Sequence, residues 1–217
     1  MRPIVTNKDL QSNMEDGIKK KDDRLLFIYN PRSGQEKIKG VLSEILDIMV
    51  KAGYEISIRP TQGKRDATDY ITGNAKEYGR IVVSGGDGTL DEVITGLMGG
   101  GPALKGIRIG YIPAGTTNDF ASSLGISRNM VEAAATAVSD KVFSCDVGRF
   151  GDDYFVHVAA FGLFTEASYS TSQDMKNLLG GAAYILEGAK QLADIPSYKM
   201  QVECDGQVIY GEFVFGM

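Results

Sequence analysis

The fold of this chain is decided by residues 80–90, which read RIVVSGGDGTL. An apolar run at Ile81–Val83 leads into a cluster of glycines. The apolar residues that follow recur at helical spacing: Leu90, Val93, Ile94 and Leu97. The run is typical of a buried parallel strand, and the spacing is typical of an amphipathic helix. A glycine turn between such a strand and such a helix predicts an α/β protein.

The same alternation of strand and helix patterns extends from residue 24 to residue 141. Short apolar or alternating runs predict strands over Leu25–Tyr29, Tyr54–Arg59, Arg80–Ser84 and Ile107–Ile112. Helical spacing predicts helices over residues 38–49, 67–75, 90–97, 120–124 and 131–138. Strands and helices at this spacing predict one α/β domain, residues 24–141, with a Rossmann-like parallel sheet and helices on both faces.

The pattern becomes β-rich after residue 141. The predicted strands are Val142–Phe150, Tyr154–Phe161, Tyr198–Cys204 and Gln207–Phe215. A helix is predicted over Met175–Ala193, and Asp205-Gly206 is a strong hairpin signal between the last two strands. We therefore predict that residues 142–217 form the start of a β-rich second domain of the β-sandwich type.

Composition and charge narrow the class of protein. The chain has 217 residues, of which 43% are hydrophobic and 24% charged, a balance typical of soluble globular proteins. Its net charge of −5 argues against a protein that coats nucleic acid. Residues 1–23 are expected to form a mobile leader without a signal peptide, so we predict a cytoplasmic protein with no transmembrane segment. Cys145 and Cys204 are expected to be buried and reduced.

The glycine turn has the features of a phosphate-binding loop. Gly85, Gly86 and Gly88 allow a sharp turn and a close approach of the backbone to a ligand. The N-terminus of the following helix offers unpaired N–H groups and a partial positive charge, which attract phosphate. Asp87 repels a bare phosphate, so its presence favours Mg²⁺-dependent phosphoryl transfer. The alternative is an ordinary strand-to-helix turn in which Asp87 and Thr89 cap the helix.

Two more polar loops follow predicted strands. Residues 30–34 (Asn-Pro-Arg-Ser-Gly) follow the first strand, and residues 113–119 (Pro-Ala-Gly-Thr-Thr-Asn-Asp) follow the fourth. The carboxyl ends of parallel strands face one crevice, where open α/β sheets bind ligands. We therefore expect three loops to converge on one site, although either loop alone is equally well explained as a turn. Arg32 is interpreted either as a phosphate ligand or as an exposed loop residue.

Together, these motifs resemble those of the diacylglycerol kinase catalytic-domain family, in particular its soluble bacterial lipid kinases. The segments that carry the resemblance are Asn30–Gly34, Gly85–Val93, Pro113–Ala121 and Asp146–Gly148. The glycine–aspartate motif alone is shared with NAD kinases and phosphofructokinases, so the resemblance implies their kind of fold for the first domain. The likeness runs from about residue 25 to the last residue.

The resemblance implies an ATP-dependent kinase that uses Mg²⁺ and phosphorylates a hydroxyl of a diacylglycerol-like lipid. The implied ATP-binding residues are Asn30, Ser33, Gly34, Thr61, Gly85, Gly86, Asp87, Gly88, Thr89, Leu90, Asp91 and Thr116. The implied polar network around the transfer site is Asp87, Asn118, Asp119 and Asp146. Asp87 is also implied to meet the metal through Mg-ATP. From the residues alone, Thr61 is a plain loop residue and Asp146 a turn or cap residue.

The chain departs from the family pattern in three ways. Asp91 stands where the family commonly has Asn, and Gln35 stands where close relatives have a basic residue. The family's aspartate-rich metal loop and the Asp-Gly-Glu segment that supplies its general base do not occur in the sequence. A missing base costs about 10²–10⁴ in rate. We therefore expect the chain to be truncated and, by itself, nearly inactive.

The implied substrate places the protein at a membrane surface, peripheral to the inner face, without a nucleic-acid partner. An unfinished sheet exposes an edge, so pairing into a homodimer is a further expectation. Two alternatives stay open. One is an NAD kinase-like enzyme, against which Thr116–Phe120 follows the lipid-kinase pattern. The other is a truncated module that binds nucleotide or lipid without catalysis.

Overall fold

The computed structural model describes residues 21–162 and 197–217. Within the chain two compact units are distinguished: Met1–Cys145 and Asp146–Met217. The predicted helix over Met175–Ala193, and residues 1–20 of the predicted leader, lie outside the described residues.

A four-stranded sheet forms the centre of the first unit. Its strands are β1 (Arg24–Tyr29), β2 (Glu55–Pro60), β3 (Arg80–Gly85) and β4 (Arg108–Pro113). They lie in the order β2-β1-β3-β4 and every pair is parallel, which confirms the predicted sheet. The chain leaves β1 toward one side of the sheet and leaves β3 toward the other. The switch point therefore lies between β1 and β3, where open α/β sheets form their ligand crevice.

Helices cover both faces of this sheet, as predicted. They are α1 (Ile38–Lys51), α2 (Asp66–Asn74), α3 (Asp87–Gly99), α4 (Asp119–Ser123) and α5 (Met130–Ala137). One face packs against α1 and α5 through a buried core of Leu25, Phe27, Val82, Ile112, Ile38, Ile45, Met49, Ala133, Ala134 and Ala137. Successive strand residues point to opposite faces. The alternate buried residues therefore face the packed pair α2 and α3: Leu26, Ile28, Ile81 and Val83.

Two glycines let helices approach closely. A Cβ on Gly96 of α3 would lie 2.8 Å from the Thr68 carbonyl oxygen of α2, and one on Gly110 of β4 would lie 2.6 Å from the Ala137 carbonyl oxygen of α5. Real Cβ atoms do not approach backbone oxygens this closely, because the packing of protein interiors leaves no such overlap. Both contacts therefore require glycine.

The second unit contains antiparallel strand pairs. They are β5 (Gly148–Phe150) with β6 (Asp153–Phe155), β7 (Phe161–Gly162) with β10 (Phe215–Gly216), and β8 (Tyr198–Cys204) with β9 (Gln207–Phe213). Asp205 and Gly206 have φ values of +51° and +75° at the β8–β9 turn, as a two-residue hairpin turn requires. The β-rich character of this part of the chain and its hairpin are therefore confirmed.

The strands that follow residue 141 are shorter than the sequence pattern predicts. Residues 142–147 have no regular structure, and only Gly148–Phe150 of that run pairs, with Asp153–Phe155. Phe143 is 67% exposed. The reason is that β propensity describes a fit to a half-buried pleated surface, so apolar residues without a partner strand do not form a strand.

The cysteines, the end of the leader and the absence of a transmembrane segment are the remaining predictions. Cys145 and Cys204 are free thiols, but both are exposed, so their predicted burial is wrong. Cys204 lies beside a hairpin turn, where side chains face solvent. The leader's last residues, Lys21–Asp23, form a 3-10 turn whose backbone packs on Gly79. Within residues 21–162 and 197–217, no helix combines the length and apolar character needed to cross a bilayer.

Candidate active site

The loops that follow the four strands are joined to one another at the carboxyl edge of the sheet. The Asn30 N–H donates to the Ser84 carbonyl at 2.8 Å, which ties the loop after β1 to the end of β3. The Ala114 N–H donates to the Gly85 carbonyl at 2.8 Å, which ties in the loop after β4. The Thr61 N–H, after β2, donates to the Tyr29 carbonyl at 2.9 Å. The predicted convergence of the loops is confirmed.

Glycines let these loops touch backbone to backbone. A Cβ on Gly34 would lie 2.0 Å from the Ala114 carbonyl oxygen, and Gly34 has a φ of +53°. A Cβ on Gly115 would lie 2.5 Å from the Gly86 Cα. An L side chain at either position therefore requires the loops to separate. The loops after β1, β3 and β4 form one continuous backbone surface.

The N-terminus of α3 opens onto this surface. Gly86 precedes the helix, and the first N–H with a helical partner is that of Thr89, which donates to the Gly86 carbonyl at 3.0 Å. The N–H groups of Asp87 and Gly88 belong to the first turn, where a helix offers no carbonyl partner. Gly88 is exposed, and a Cβ there would meet nothing within 4 Å. This end of α3 can therefore receive an anion.

The Asp87 side chain links two helices. Its Oδ2 accepts the N–H of Asp119, the first residue of α4, at 3.0 Å. Its Oδ1 lies 3.5 Å from the hydroxyl of Tyr111. No side chain caps α3, so the alternative in which Asp87 and Thr89 cap this helix is not what the structure has. Asp87 fixes the loop after β4 relative to the glycine turn.

Asn118 closes the loop between β4 and α4. Its Oδ1 accepts the Gly115 N–H at 2.8 Å, and its Nδ2 donates to the Gly115 carbonyl at 2.8 Å. The residue is buried and has a φ of +54°, a left-handed conformation that asparagine tolerates better than most side chains. Asn118 therefore holds Gly115 against Gly86.

Sequence reasoning missed Tyr111 of β4. Its hydroxyl lies 3.2 Å from the Gly85 carbonyl oxygen and 3.5 Å from both Asp87 Oδ1 and Asn118 Oδ1. Burial, and then the charge of Asp87, raises the pKa of the Tyr111 hydroxyl well above its ordinary value, so it is protonated at neutral pH. The available signal was a tyrosine in a buried strand two residues before a polar loop, since buried tyrosine hydroxyls need a partner.

Comparison with known proteins supports the family resemblance that the motifs indicate. A family model described as the diacylglycerol kinase catalytic domain matches residues 24–150. The chain belongs to the diacylglycerol kinase catalytic domain family. The match spans the whole parallel sheet and all three loops of the site, and it confirms the resemblance seen in the motifs.

Named relatives agree with this family. The chain is similar to the diacylglycerol kinase of Staphylococcus carnosus (strain TM300), with 38% identity over 88% of this chain and 62% of the relative. It is 37% identical to that of Bacillus subtilis (strain 168), over 88% of this chain and 63% of the relative. A crystal structure of a diacylglycerol kinase from Bacillus anthracis str. Sterne has a TM-score of 0.68 and 30% identity, covering 91% and 64% of the two chains. The chain thus spans less than two thirds of these relatives.

Most residues that the diacylglycerol kinase resemblance implies lie at the joined loops. Ser33 is buried, Thr61 is half-buried, and Thr116 and Asp119 are exposed. Asp91 lies in the second turn of α3. The other implied residues of the joined loops have been placed above: Asn30, Gly34, Gly85, Gly86, Asp87, Gly88, Thr89 and Asn118. Leu90 is buried on α3, so its side chain serves the core and only its backbone faces the turn.

Three side chains stand apart from that group. Asp146 is exposed and is the first residue of the second unit, so its part in the network stays a prediction. Gln35, where close relatives have a basic residue, has a left-handed φ of +63°. The Arg32 side chain is exposed, while its N–H donates to Asn30 Oδ1 at 2.9 Å, so both interpretations of Arg32 stay open.

The donor set fits a metal that arrives with the nucleotide. Among the residues that the structure describes, no group of three or more His, Cys, Asp or Glu side chains is placed to hold a metal ion. Mg²⁺ usually keeps several waters and binds through one or two carboxylates together with substrate phosphates. Asp87, the first residue of α3, supplies one carboxylate of this kind, and its Oδ2 accepts the backbone N–H of Asp119.

Proposed function

We propose that this protein is an ATP-dependent kinase that transfers the γ-phosphate to a hydroxyl of a diacylglycerol-like lipid. The observation that carries the proposal is the joined surface of three loops at the carboxyl edge of the sheet, within the segment that matches the diacylglycerol kinase catalytic domain. The relatives that share this segment are named diacylglycerol kinases. Because the chain spans only part of them, activity and substrate are proposals for the whole protein.

The site offers ATP a cradle lined by backbone N–H groups. The N–H groups of Asp87 and Gly88 and the dipole of α3 favour phosphate oxygens. Gly34, Gly86 and Gly115 keep side chains away from this surface, so that the backbone can reach a phosphate. Thr61 and Thr116 lie on neighbouring loops and supply hydroxyls at its margins. We assign ATP to this cradle on these grounds.

Phosphoryl transfer depends mainly on positioning and on neutralising charge, and little covalent chemistry is needed from the protein. Mg²⁺, when bound with ATP, supplies that neutralisation. Asp87 would hold it through its carboxylate, whose Oδ2 also accepts the N–H of Asp119 at the start of α4. Asn118 positions the Gly115 backbone beside the turn. Asp119 belongs to the proposed polar network in the first unit, and a role for Asp146 remains a prediction from the family resemblance.

A lipid substrate places the protein at a membrane surface, and the proposal includes peripheral binding there. A homodimer stays a prediction. The feature that supports it is the β8–β9 pair, which among the described residues is a two-stranded sheet. An unpaired strand edge is a template for pairing with another chain.

The competing acceptor is NAD, because NAD kinases share the glycine–aspartate motif. The names of the relatives and the sequence of residues 116–120 favour the lipid. A module that binds nucleotide without catalysis is the third candidate, and it is distinguished from the first two by turnover alone.

The test offers both acceptors to the product of the complete reading frame. The protein is incubated with Mg²⁺ and γ-labelled ATP, with diacylglycerol in mixed micelles in one arm and NAD in the other. We expect label in a phosphorylated lipid and none in NADP. Asp87→Ala should lower lipid phosphorylation at least about 100-fold, since it removes a group placed at the transferred charge. Label in NADP, or ATP binding without transfer to either acceptor, contradicts the proposal.

A further inference from the structure

We infer that Tyr111 is a positioning residue that holds the Asp87 carboxylate in its nucleotide-binding orientation through its hydroxyl proton. The inference rests on the proposed function, because it assigns Tyr111 a task at the same site. Tyr111 is a buried residue of β4, and its side chain approaches the loops from within the sheet.

The hydroxyl of Tyr111 lies among three oxygens from two loops. The Gly85 carbonyl oxygen is at 3.2 Å, Asp87 Oδ1 at 3.5 Å and Asn118 Oδ1 at 3.5 Å. Strand register explains this position, because Tyr111 pairs with Val83, two residues before Gly85. One side chain therefore reaches both the glycine turn and the loop after β4.

A count of protons shows what the hydroxyl does there. A backbone carbonyl and a carboxylate only accept hydrogen bonds. Asn118 Oδ1 is also an acceptor, since it takes the Gly115 N–H at 2.8 Å. The three oxygens bring no proton of their own, and the hydroxyl brings one. Among the described residues, Tyr111 is also the donor that reaches Asp87 Oδ1, while Oδ2 is occupied by the Asp119 N–H.

Burial keeps that proton in place. The Tyr111 side chain is 6% exposed, and its ring lies 6.5 Å from the ring of Phe120. A tyrosine hydroxyl ordinarily ionises only at about pH 10. The donor is therefore present throughout the neutral range, at a site of low dielectric constant where a hydrogen bond to a charged acceptor is stronger than in water.

Loss of the hydroxyl has a local consequence. With phenylalanine at 111, the three acceptor oxygens lose the proton of the hydroxyl, and the Asp87 carboxylate keeps its contact with the Asp119 N–H but loses the one at Oδ1. Asp87 is the first residue of α3, whose first-turn N–H groups have no helical partner. The orientation of its carboxylate therefore determines the contact that this end of the helix can make with Mg-ATP. The fold itself retains the ring, its packing and the strand.

The experiment is a double-mutant cycle on the full chain, with Mg-ATP affinity measured by calorimetry. We expect Tyr111→Phe to weaken binding roughly tenfold, as the loss of one hydrogen bond to a charged group predicts. In an Asp87→Asn background, the same change should cost less than about twofold, because Tyr111 acts through the carboxylate. Tyr54→Phe is the matched control, since Tyr54 lies near the amino edge of the sheet, and it should stay within about twofold of wild type.

A second measurement checks the mechanism without ATP. Tyr111→Phe should speed hydrogen exchange at the Asp119 amide, which Asp87 Oδ2 holds, while Tyr54→Phe leaves it unchanged. An equal loss of affinity in both backgrounds overturns the inference, and so do unchanged affinity and unchanged exchange in Tyr111→Phe. In either case the proposed function stands if the wild-type protein binds Mg-ATP and phosphorylates the lipid. A folded wild-type protein that does not bind Mg-ATP overturns both.

Discussion

The two edges of the parallel sheet are built from the same four strands, but their polar groups are used differently. At the amino edge, Arg80 is 4% exposed, and its Nη1 donates to the carbonyl oxygens of Ala137 and Ser139 at 2.5 and 3.1 Å. Its guanidinium also lies 5.4 Å from the centre of the Tyr54 ring. These contacts cap the C-terminus of α5, so the positive charge serves the fold.

At the carboxyl edge the loops are also joined by backbone contacts, yet the first-turn N–H groups of α3 have no carbonyl partner within the helix. The contacts that close this edge run between backbones, as at Gly34 with Ala114 and Gly115 with Gly86. The side chains that reinforce it, such as Asn118, bind the loop to itself. One edge therefore uses its polar groups for stability, while the loop contacts of the other leave the first-turn N–H groups of α3 available for a ligand.

The largest effect is expected from Gly34→Ala, which forces the loops of the carboxyl edge apart. Its Cβ would lie 2.0 Å from a backbone oxygen. The loops must move apart to relieve this overlap, and we expect that shift to cost on the order of 100-fold in ATP affinity. Calorimetry measures this, with Gly73→Ala as the control, because Gly73 of α2 has open space at its Cβ position. Equal affinity in both variants shows that the loop contact is irrelevant to the site.

Arg80→Met tests the amino edge, where we expect a loss of stability without a loss of ATP affinity. It leaves the buried Ala137 carbonyl and the half-buried Ser139 carbonyl without their donor, so we expect the free energy of unfolding to fall by about 2 kcal/mol. ATP affinity of the folded protein should change less than about twofold. Denaturant unfolding checks this against Arg108→Met, whose exposed ion pair with Asp140 at 3.7 Å contributes little. An Arg80 variant that is as stable as wild type but binds ATP poorly would contradict the assignment of the amino edge to stability.

A smaller effect is expected at the margin of the carboxyl edge. Glu92 Oε1 accepts the N–H of Arg65 at 2.9 Å, and Arg65 has a left-handed φ of +67°. The contact pins the loop that carries Thr61 to α3. Glu92→Ala should weaken ATP binding about threefold, within the range for loss of one net hydrogen bond. Glu92→Gln keeps an acceptor and should restore most of the affinity; failure of that rescue points to charge instead of position.

The smallest effect is a dependence on high pH that comes from Tyr111. Burial raises the pKa of its hydroxyl above the ordinary 10.0, so above that pH the unfolded chain loses a proton that the folded chain keeps. Stability is therefore full below pH 10 and falls as the pH rises further. This group alone lowers it by about 0.8 kcal/mol near pH 10.5. Denaturant unfolding of Tyr111→Phe at several pH values should show a shallower fall than wild type, and equal slopes contradict this.

Much of the first unit could be predicted from the sequence. Strands β1 and β3 are continuous apolar runs that end at polar or glycine residues, so their bounds follow from burial alone. The convergence of three loops followed from the rule that carboxyl ends of parallel strands share one edge. Thr61 is indicated only by the family resemblance. Its N–H donates to the Tyr29 carbonyl, which places it at the carboxyl edge, while its role in ATP binding remains a prediction.

The remainder depends on contacts that periodicity does not contain. The position of Tyr111 beside Asp87 requires the register of β3 and β4, which is set by packing across the whole sheet. Residues 142–147 have the composition of a strand but no partner among the described residues, and composition does not report partners. Gln35 and Glu36 have left-handed conformations that neither residue type favours, so the residue types give no signal for them.

Hydrogen exchange on the folded chain, with and without Mg-ATP, tests the difference between the edges most directly. Saturating Mg-ATP should slow exchange at the amides around Gly86 and Thr116, and leave those around Gly79 and Arg108 unchanged. Unaltered exchange around Gly86 and Thr116 under those conditions would contradict a nucleotide cradle at the carboxyl edge.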